Sequence, residues 1–123
     1  MESISQAATP RVLLVEDDPD VLEVLRQALE DGGYVVESAC TRSAAASRLV
    51  SGCIDLLITD LMLGEEDGVV LMRLAERHDI PVLGITGHPA RWWPSRPAVL
   101  QKPFTAERLT AEAGRLLGAH QAY

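Results

Sequence analysis

The sequence predicts an α/β domain in which a parallel sheet is covered by helices on both faces. Three observations predict it. Short apolar runs alternate with stretches whose apolar residues recur at helical spacing. Capping and turn residues mark the junctions between them. No repeat, low-complexity tract or linker interrupts the alternation after the polar, small-residue stretch that precedes Arg11. Strict β/α alternation is satisfied by crossovers that return each strand to one parallel sheet.

Arg11 to Val15 (RVLLV) reads as the first strand, and Asp18-Pro19 supplies a helix cap and a first-turn proline. Val21, Leu22, Val24, Leu25, Ala28 and Leu29 follow the helical period, and Asp31-Gly32-Gly33 stops the helix. Tyr34 to Ser38 is the second strand, Thr41 to Ser51 an alanine-rich helix capped by Thr41, and Ile54 to Thr59 a buried strand. An acidic loop from Gly64 to Gly68 leads to a helix over Val69 to Arg77, and Ile80 to Thr86 reads as another core strand. Ala98 to Gln101 is the fifth strand, and Thr105 caps a last helix carrying Leu109, Ala113, Leu116 and Leu117. Between Thr86 and Ala98 only eleven residues remain, including Pro89, Pro94 and Pro97. A crossover of that length predicts a short or irregular fourth helix.

The 123 residues, 47% of them hydrophobic, suit one domain with a real core. A net charge of −7 is the wrong sign for gripping a phosphate backbone or an anionic membrane, so direct nucleic-acid binding is not expected. The amino terminus has no basic start and no long apolar run, which predicts a cytoplasmic chain without a signal peptide or membrane span. Cys40 and Cys53 form no CxxC pair, and both are read as small, semi-buried apolar residues.

In open parallel sheets, ligands bind beyond the carboxyl ends of the strands. Glu16 and Asp17 follow the first strand, Asp60 the third and Lys102 the fifth, and Thr86 ends the fourth. If the first and third strands are neighbours, three carboxylates share one pocket, where two charges about 4 Å apart repel by about 4 kcal/mol at an effective dielectric near 20. A cation relieves that repulsion, and an all-oxygen set without histidine or cysteine suits a hard ion such as Mg²⁺ rather than zinc. One carboxylate can then act as a nucleophile toward phosphorus. The Lys102 ammonium and the Thr86 hydroxyl are placed to meet phosphate oxygens.

The motifs LLVEDDPD, LLITDLMLGEEDG, IPVLGIT and LQKPF, in this order and on the predicted strand ends, resemble the receiver domain of two-component response regulators. The resemblance covers residues 11–118, leaving 1–10 and 119–123 as tails. It implies a flavodoxin-like, doubly wound five-stranded sheet of order 2-1-3-4-5. It also implies a phosphoryl group passed to Asp60 from a histidine kinase or histidine phosphotransfer protein, by a transfer that the receiver itself catalyses, as it does the later dephosphorylation. Thr86 and Lys102 are the accompanying catalytic residues. Mg²⁺ or Mn²⁺ would be held directly by Asp17 and Asp60, by Glu16 mostly through water, and by the backbone carbonyl of Met62. Asp18 is the helix cap, and the Lys102-Pro103 bond is expected to be cis. Output is expected through contact with a downstream protein.

Three departures from the family pattern stand out. Gly64 replaces a frequent proline, which with Gly68 predicts a more mobile loop. Val99 stands where many receivers carry the Tyr or Phe that swings with the threonine. The segment with Trp92 and Trp93 replaces a regular fourth helix, so the usual dimer surface is not assumed. By the same resemblance His88 is expected near the pocket mouth, where its side chain would tune loss of the phosphoryl group, and one tryptophan of the pair is expected to face outward.

Each site residue also has a plainer reading: Glu16 to Asp20 as a solvated acidic turn, Thr86 as an ordinary strand end, Lys102 as a surface lysine. Their joint placement around Asp60 favours a site. The alternatives are an adaptor that binds its partner without phosphorylation, and a hydrolase of the aspartyl-phosphate type. The latter needs a second acid two residues after its nucleophile, where Met62 stands.

Overall fold

The computed structural model describes residues 9–63, 66–87 and 98–120. The elements run β1 (Arg11–Val15), α1 (Pro19–Asp31), β2 (Val35–Ala39), α2 (Arg42–Ser51), β3 (Leu56–Asp60), β4 (Met62–Leu63), β5 (Glu66–Asp67), α3 (Val69–Arg77), β6 (Val82–Thr86), β7 (Ala98–Gln101) and α4 (Ala106–His120). Five strands form one parallel sheet in the order β2-β1-β3-β6-β7, while β4 and β5 pair antiparallel in a ribbon of their own. The five main strands, counted along the chain, take the expected order 2-1-3-4-5.

The sheet separates two apolar cores. Val12, Leu14, Leu56, Ile58, Leu83 and Ile85 pack under α1 and α4, against Leu25, Leu29, Leu109 and Ala113. Leu13, Val15 and Leu57 turn the other way, onto Ala45 and Leu49 of α2 and Leu71 and Ala75 of α3. Successive strand residues point to opposite faces, so a strand covered on both sides must be apolar throughout. β3, buried at all five positions, lies at the centre for that reason.

Helix starts follow the capping residues. Asp18 Oδ1 accepts hydrogen bonds from the amides of Asp20 (2.9 Å) and Val21 (3.4 Å), with Pro19 opening the helix. Thr41 Oγ1 accepts from Ala44 N at 3.2 Å, and Thr105 Oγ1 from Arg108 N at 3.0 Å. On β2, an edge strand, Glu37 is held between Arg11 and Arg48, each at 2.9 Å.

The structure corrects two expectations, the strand starts and the burial of the cysteines. The second, third and fourth strands begin one or two residues later than the apolar runs suggested. At β3, Asp55 N donates to Arg11 O at 2.8 Å, but Arg11 N donates back to the Asp55 carboxylate at 2.8 Å and not to a main-chain carbonyl, so the ladder proper starts at Leu56. Met62–Leu63 pairs with Glu66–Asp67 and Gly68 N donates to Leu61 O at 2.9 Å, while Gly64, on which the expectation of a mobile loop rested, lies outside the described residues. Both cysteines are exposed rather than semi-buried. Cys40 follows the end of β2, and Cys53 sits at φ 73° beside Gly52 at φ 94°, in a left-handed surface turn. The last helix spans Ala106–His120.

His88, Trp92, Trp93 and the expected irregular fourth helix lie outside the described residues. Among the described residues, no helix is long and apolar enough to cross a membrane.

Replacing Asp18 with alanine removes two hydrogen bonds from the start of α1 and should cost about 1 kcal/mol of unfolding free energy. Urea denaturation should show a lower midpoint at unchanged slope. An unmoved midpoint would mean that water serves those amides equally well.

Candidate functional site

The parallel register brings the carboxyl ends of β1, β3, β6 and β7 to one edge of the sheet. Val15 pairs with Thr59, Asp60 with Ile85, and Thr86 with Gln101. Lys102 N donates to Thr86 O at 2.8 Å, which carries the pairing one residue beyond β7. Glu16, Asp60, Thr86 and Lys102, spread over the chain, therefore meet at this edge.

Glu16, Asp60 and Thr86 are buried, while Asp17 is exposed at the rim. The carboxylates of Glu16, Asp17 and Asp60 each offer an oxygen within 4.8 Å of the others. Lys102 Nζ lies 3.2 Å from Asp60 Oδ2 and 3.4 Å from Glu16 Oε1, so one ammonium bridges the two buried acids. The remaining carboxylate oxygens are also engaged. Met62 N donates to Asp60 Oδ1 at 2.9 Å, and Asp18 N donates to Glu16 Oε2 at 3.2 Å. The Lys102-Pro103 peptide is cis, as the motif implied.

The electrostatics follow from this crowding. Burial raises the Glu16 carboxyl above its ordinary value, with the Asp60 charge adding to the rise; the Asp18 amide and Lys102 oppose it without cancelling it. Burial alone would lower the Lys102 ammonium, yet the Asp60 and Glu16 carboxylates together hold it above its ordinary value. The lysine is therefore charged at neutral pH and partly balances the acids.

All five side chains singled out in the sequence (Glu16, Asp17, Asp60, Thr86 and Lys102) belong to strands or loops converging here. Of Met62 the sequence suggested only the carbonyl; the structure adds its amide, which fixes one oxygen of Asp60. The Asp18 amide was likewise unforeseen, because main-chain donors carry no residue signature. A carboxylate set without nitrogen or sulfur ligands fits a hard divalent cation, and the exposed Asp17 leaves it an approach from solvent.

Comparison with known proteins agrees with this geometry. Residues 12–92, more than half of the chain, match the model of the response regulator receiver domain. The chain is 36% identical over 115 residues to the response regulator receiver protein CpdR of Brucella abortus, covering 87% of this chain and 96% of that protein. It is 33% identical over 118 residues to the transcriptional regulatory protein BasR of Escherichia coli, covering 89% of this chain but only 53% of the relative. The chain thus spans nearly all of one relative and about half of the other. Among solved structures, a response regulator receiver protein from Sinorhizobium medicae superposes with a TM-score of 0.85 at 29% identity, covering 92% of this chain and 98% of that one.

Because the Glu16 carboxyl is raised in the fold, its ionised form opposes folding. That cost is absent below the unfolded value near 4.5 and develops as pH rises through the folded value. Glu16→Gln should therefore be more stable than the parent at pH 7 in EDTA, with the difference shrinking toward pH 4. Urea melts at the two pH values test this, and a variant less stable at pH 7 would show that the Lys102 pairing outweighs burial.

Proposed function

Because this chain belongs to the response regulator receiver domain family, we propose that it is a phosphorylation-controlled signalling module whose phosphoacceptor is Asp60. The observation that carries the reading is the Lys102 ammonium lying between the Asp60 and Glu16 carboxylates at the strand-end edge. A buried acid held there, with Thr86 ending the neighbouring strand, fits nucleophilic attack followed by recognition of the product.

An Asp60 carboxylate oxygen attacks the phosphorus of a phosphohistidine on a histidine kinase or phosphotransfer protein. The new O–P bond forms as the P–N bond breaks, and the departing imidazole takes up a proton. The Met62 amide holds the other Asp60 oxygen, which orients the attacking one. Lys102 stays beside the acceptor and pairs with a phosphoryl oxygen, while the Thr86 hydroxyl donates to another. Water later attacks the same phosphorus, releasing phosphate and restoring the carboxylate.

Asp17, Asp60, the Met62 carbonyl and, through water, Glu16 would hold Mg²⁺ or Mn²⁺, whose charge when bound offsets that of the phosphoryl oxygens. Output passes to a downstream protein through contacts that differ between the two states. One observation favours the alternative of a phosphorylation-independent adaptor: Val99, on β7, is partly exposed and is too small to act as an aromatic reporter.

Incubation with acetyl phosphate, followed by intact-protein mass measurement, should show one phosphoryl group on the parent with Mg²⁺, and none without Mg²⁺ or on Asp60→Asn. A parent that gains nothing from acetyl phosphate or a phosphohistidine donor, while remaining folded, would favour the adaptor. A phosphorylated Asp60→Asn would exclude Asp60 as acceptor.

A further inference from the structure

Two glycines outside the acidic cluster approach the Asp60-Leu61 step from different sides. On β6, Gly84 lies opposite Thr59 of β3 and Val99 of β7 in the sheet register. The Leu61 side chain, fully buried, fills the space above it. A Cβ built on Gly84 would stand 2.8 Å from Leu61 Cδ2 and 3.2 Å from both Cδ1 and Cγ. On the other side, a Cβ on Gly68 would stand 3.0 Å from the carbonyl oxygen of Asp60 itself. Neither glycine has a left-handed φ among those of the chain that do, so what each supplies is room.

Hydrogen bonds close the same grip. Leu61 N donates to Ile85 O at 2.8 Å, and Gly68 N donates to Leu61 O at 2.9 Å. Thr59 Oγ1, fully buried, donates to Asp60 O at 2.9 Å. The main chain on both sides of the acceptor is thereby fixed to β6, the strand that ends in Thr86, and to the first turn of α3. One residue further on, the Met62 amide reaches back to Asp60 Oδ1.

We infer that Gly84 and Gly68 form a clamp in which Leu61, seated on Gly84, is the positioning residue that aims the Asp60 carboxylate and sets its separation from Thr86. The inference rests on the reading of Asp60 as phosphoacceptor. Val99 gives it added weight: the row Thr59, Gly84 and Val99 carries no aromatic side chain, and Leu61 packs on Gly84 of the strand that ends in Thr86.

The test is steric complementation. Gly84→Ala places a methyl group where the Leu61 branch sits, and the fully buried branch must move against packed neighbours, which strains the Asp60-Leu61 step. Phosphorylation by acetyl phosphate at saturating Mg²⁺ should slow by about tenfold or more, since displacements near 1 Å cost that much in positioned reactions. The Met62 amide resonance should move upfield as its bond to Asp60 lengthens. The double variant Leu61→Ala/Gly84→Ala relieves the clash but lacks the positioning branch, so it should be faster than Gly84→Ala, with the Met62 resonance moved back in part, yet remain slower than the parent. Gly68→Ala should slow the reaction similarly and should not be rescued by Leu61→Ala, because its obstacle is backbone.

A Gly84→Ala protein with parental rate and an unmoved Met62 amide would overturn the clamp. So would a double variant no faster than Gly84→Ala while equally well folded. If the parent itself is not phosphorylated, the functional reading fails instead, and the Met62 resonance still decides whether the clamp exists.

Discussion

A parallel sheet ends all its strands at one edge, and this chain places three carboxylates there. Two are buried, and their mutual repulsion is eased by a single ammonium that arrives from 42 residues beyond Asp60 and 86 beyond Glu16. Removing either buried charge from water is costly unless a partner and hydrogen bonds compensate it. Lys102, the Met62 amide and the Asp18 amide provide part of that compensation. The two amides act locally, but the Lys102 pairing is long-range, so the edge is complete only once the sheet has brought Lys102 to both acids.

The two-faced core makes that edge rigid. Ile58 and Leu57, adjacent in β3, pack into opposite cores, so the strand that delivers Asp60 is gripped on both faces. Glu16 is fixed through its strand in a similar way, since Glu16 N donates to Ala39 O at 3.2 Å. By contrast Asp17 is exposed. A buried acceptor, a lysine paired with two acids and an accessible rim acid form a division of labour suited to binding small charged groups from solvent.

Much of this was legible in the chain. The strand ends could be located because apolar runs such as RVLLV and LLIT stop at acids, and Asp18 and Thr41 announced their helices by type and position. The ribbon of β4 and β5 was not legible, because two-residue strands carry no periodicity. Cys40 and Cys53 were misread because cysteine's preference for interiors is an average, overruled here by one strand end and one left-handed turn. Gly68 was read for its conformational freedom, and its close approach to Asp60 was not foreseen. Its meaning depends on which atom lies opposite its Cα, a fact of tertiary structure that no local pattern records.

The Glu37 network has a consequence of its own. β2 is an outer strand of the sheet, and a bare outer strand invites pairing with another chain. At its midpoint stands a carboxylate flanked by two guanidinium groups drawn from β1 and α2. An incoming strand would have to dock beside this fixed array of charge, and its own side chains would rarely match it. The arrangement therefore acts as a gatekeeper against self-templated aggregation, protecting the molecule on the side away from β7.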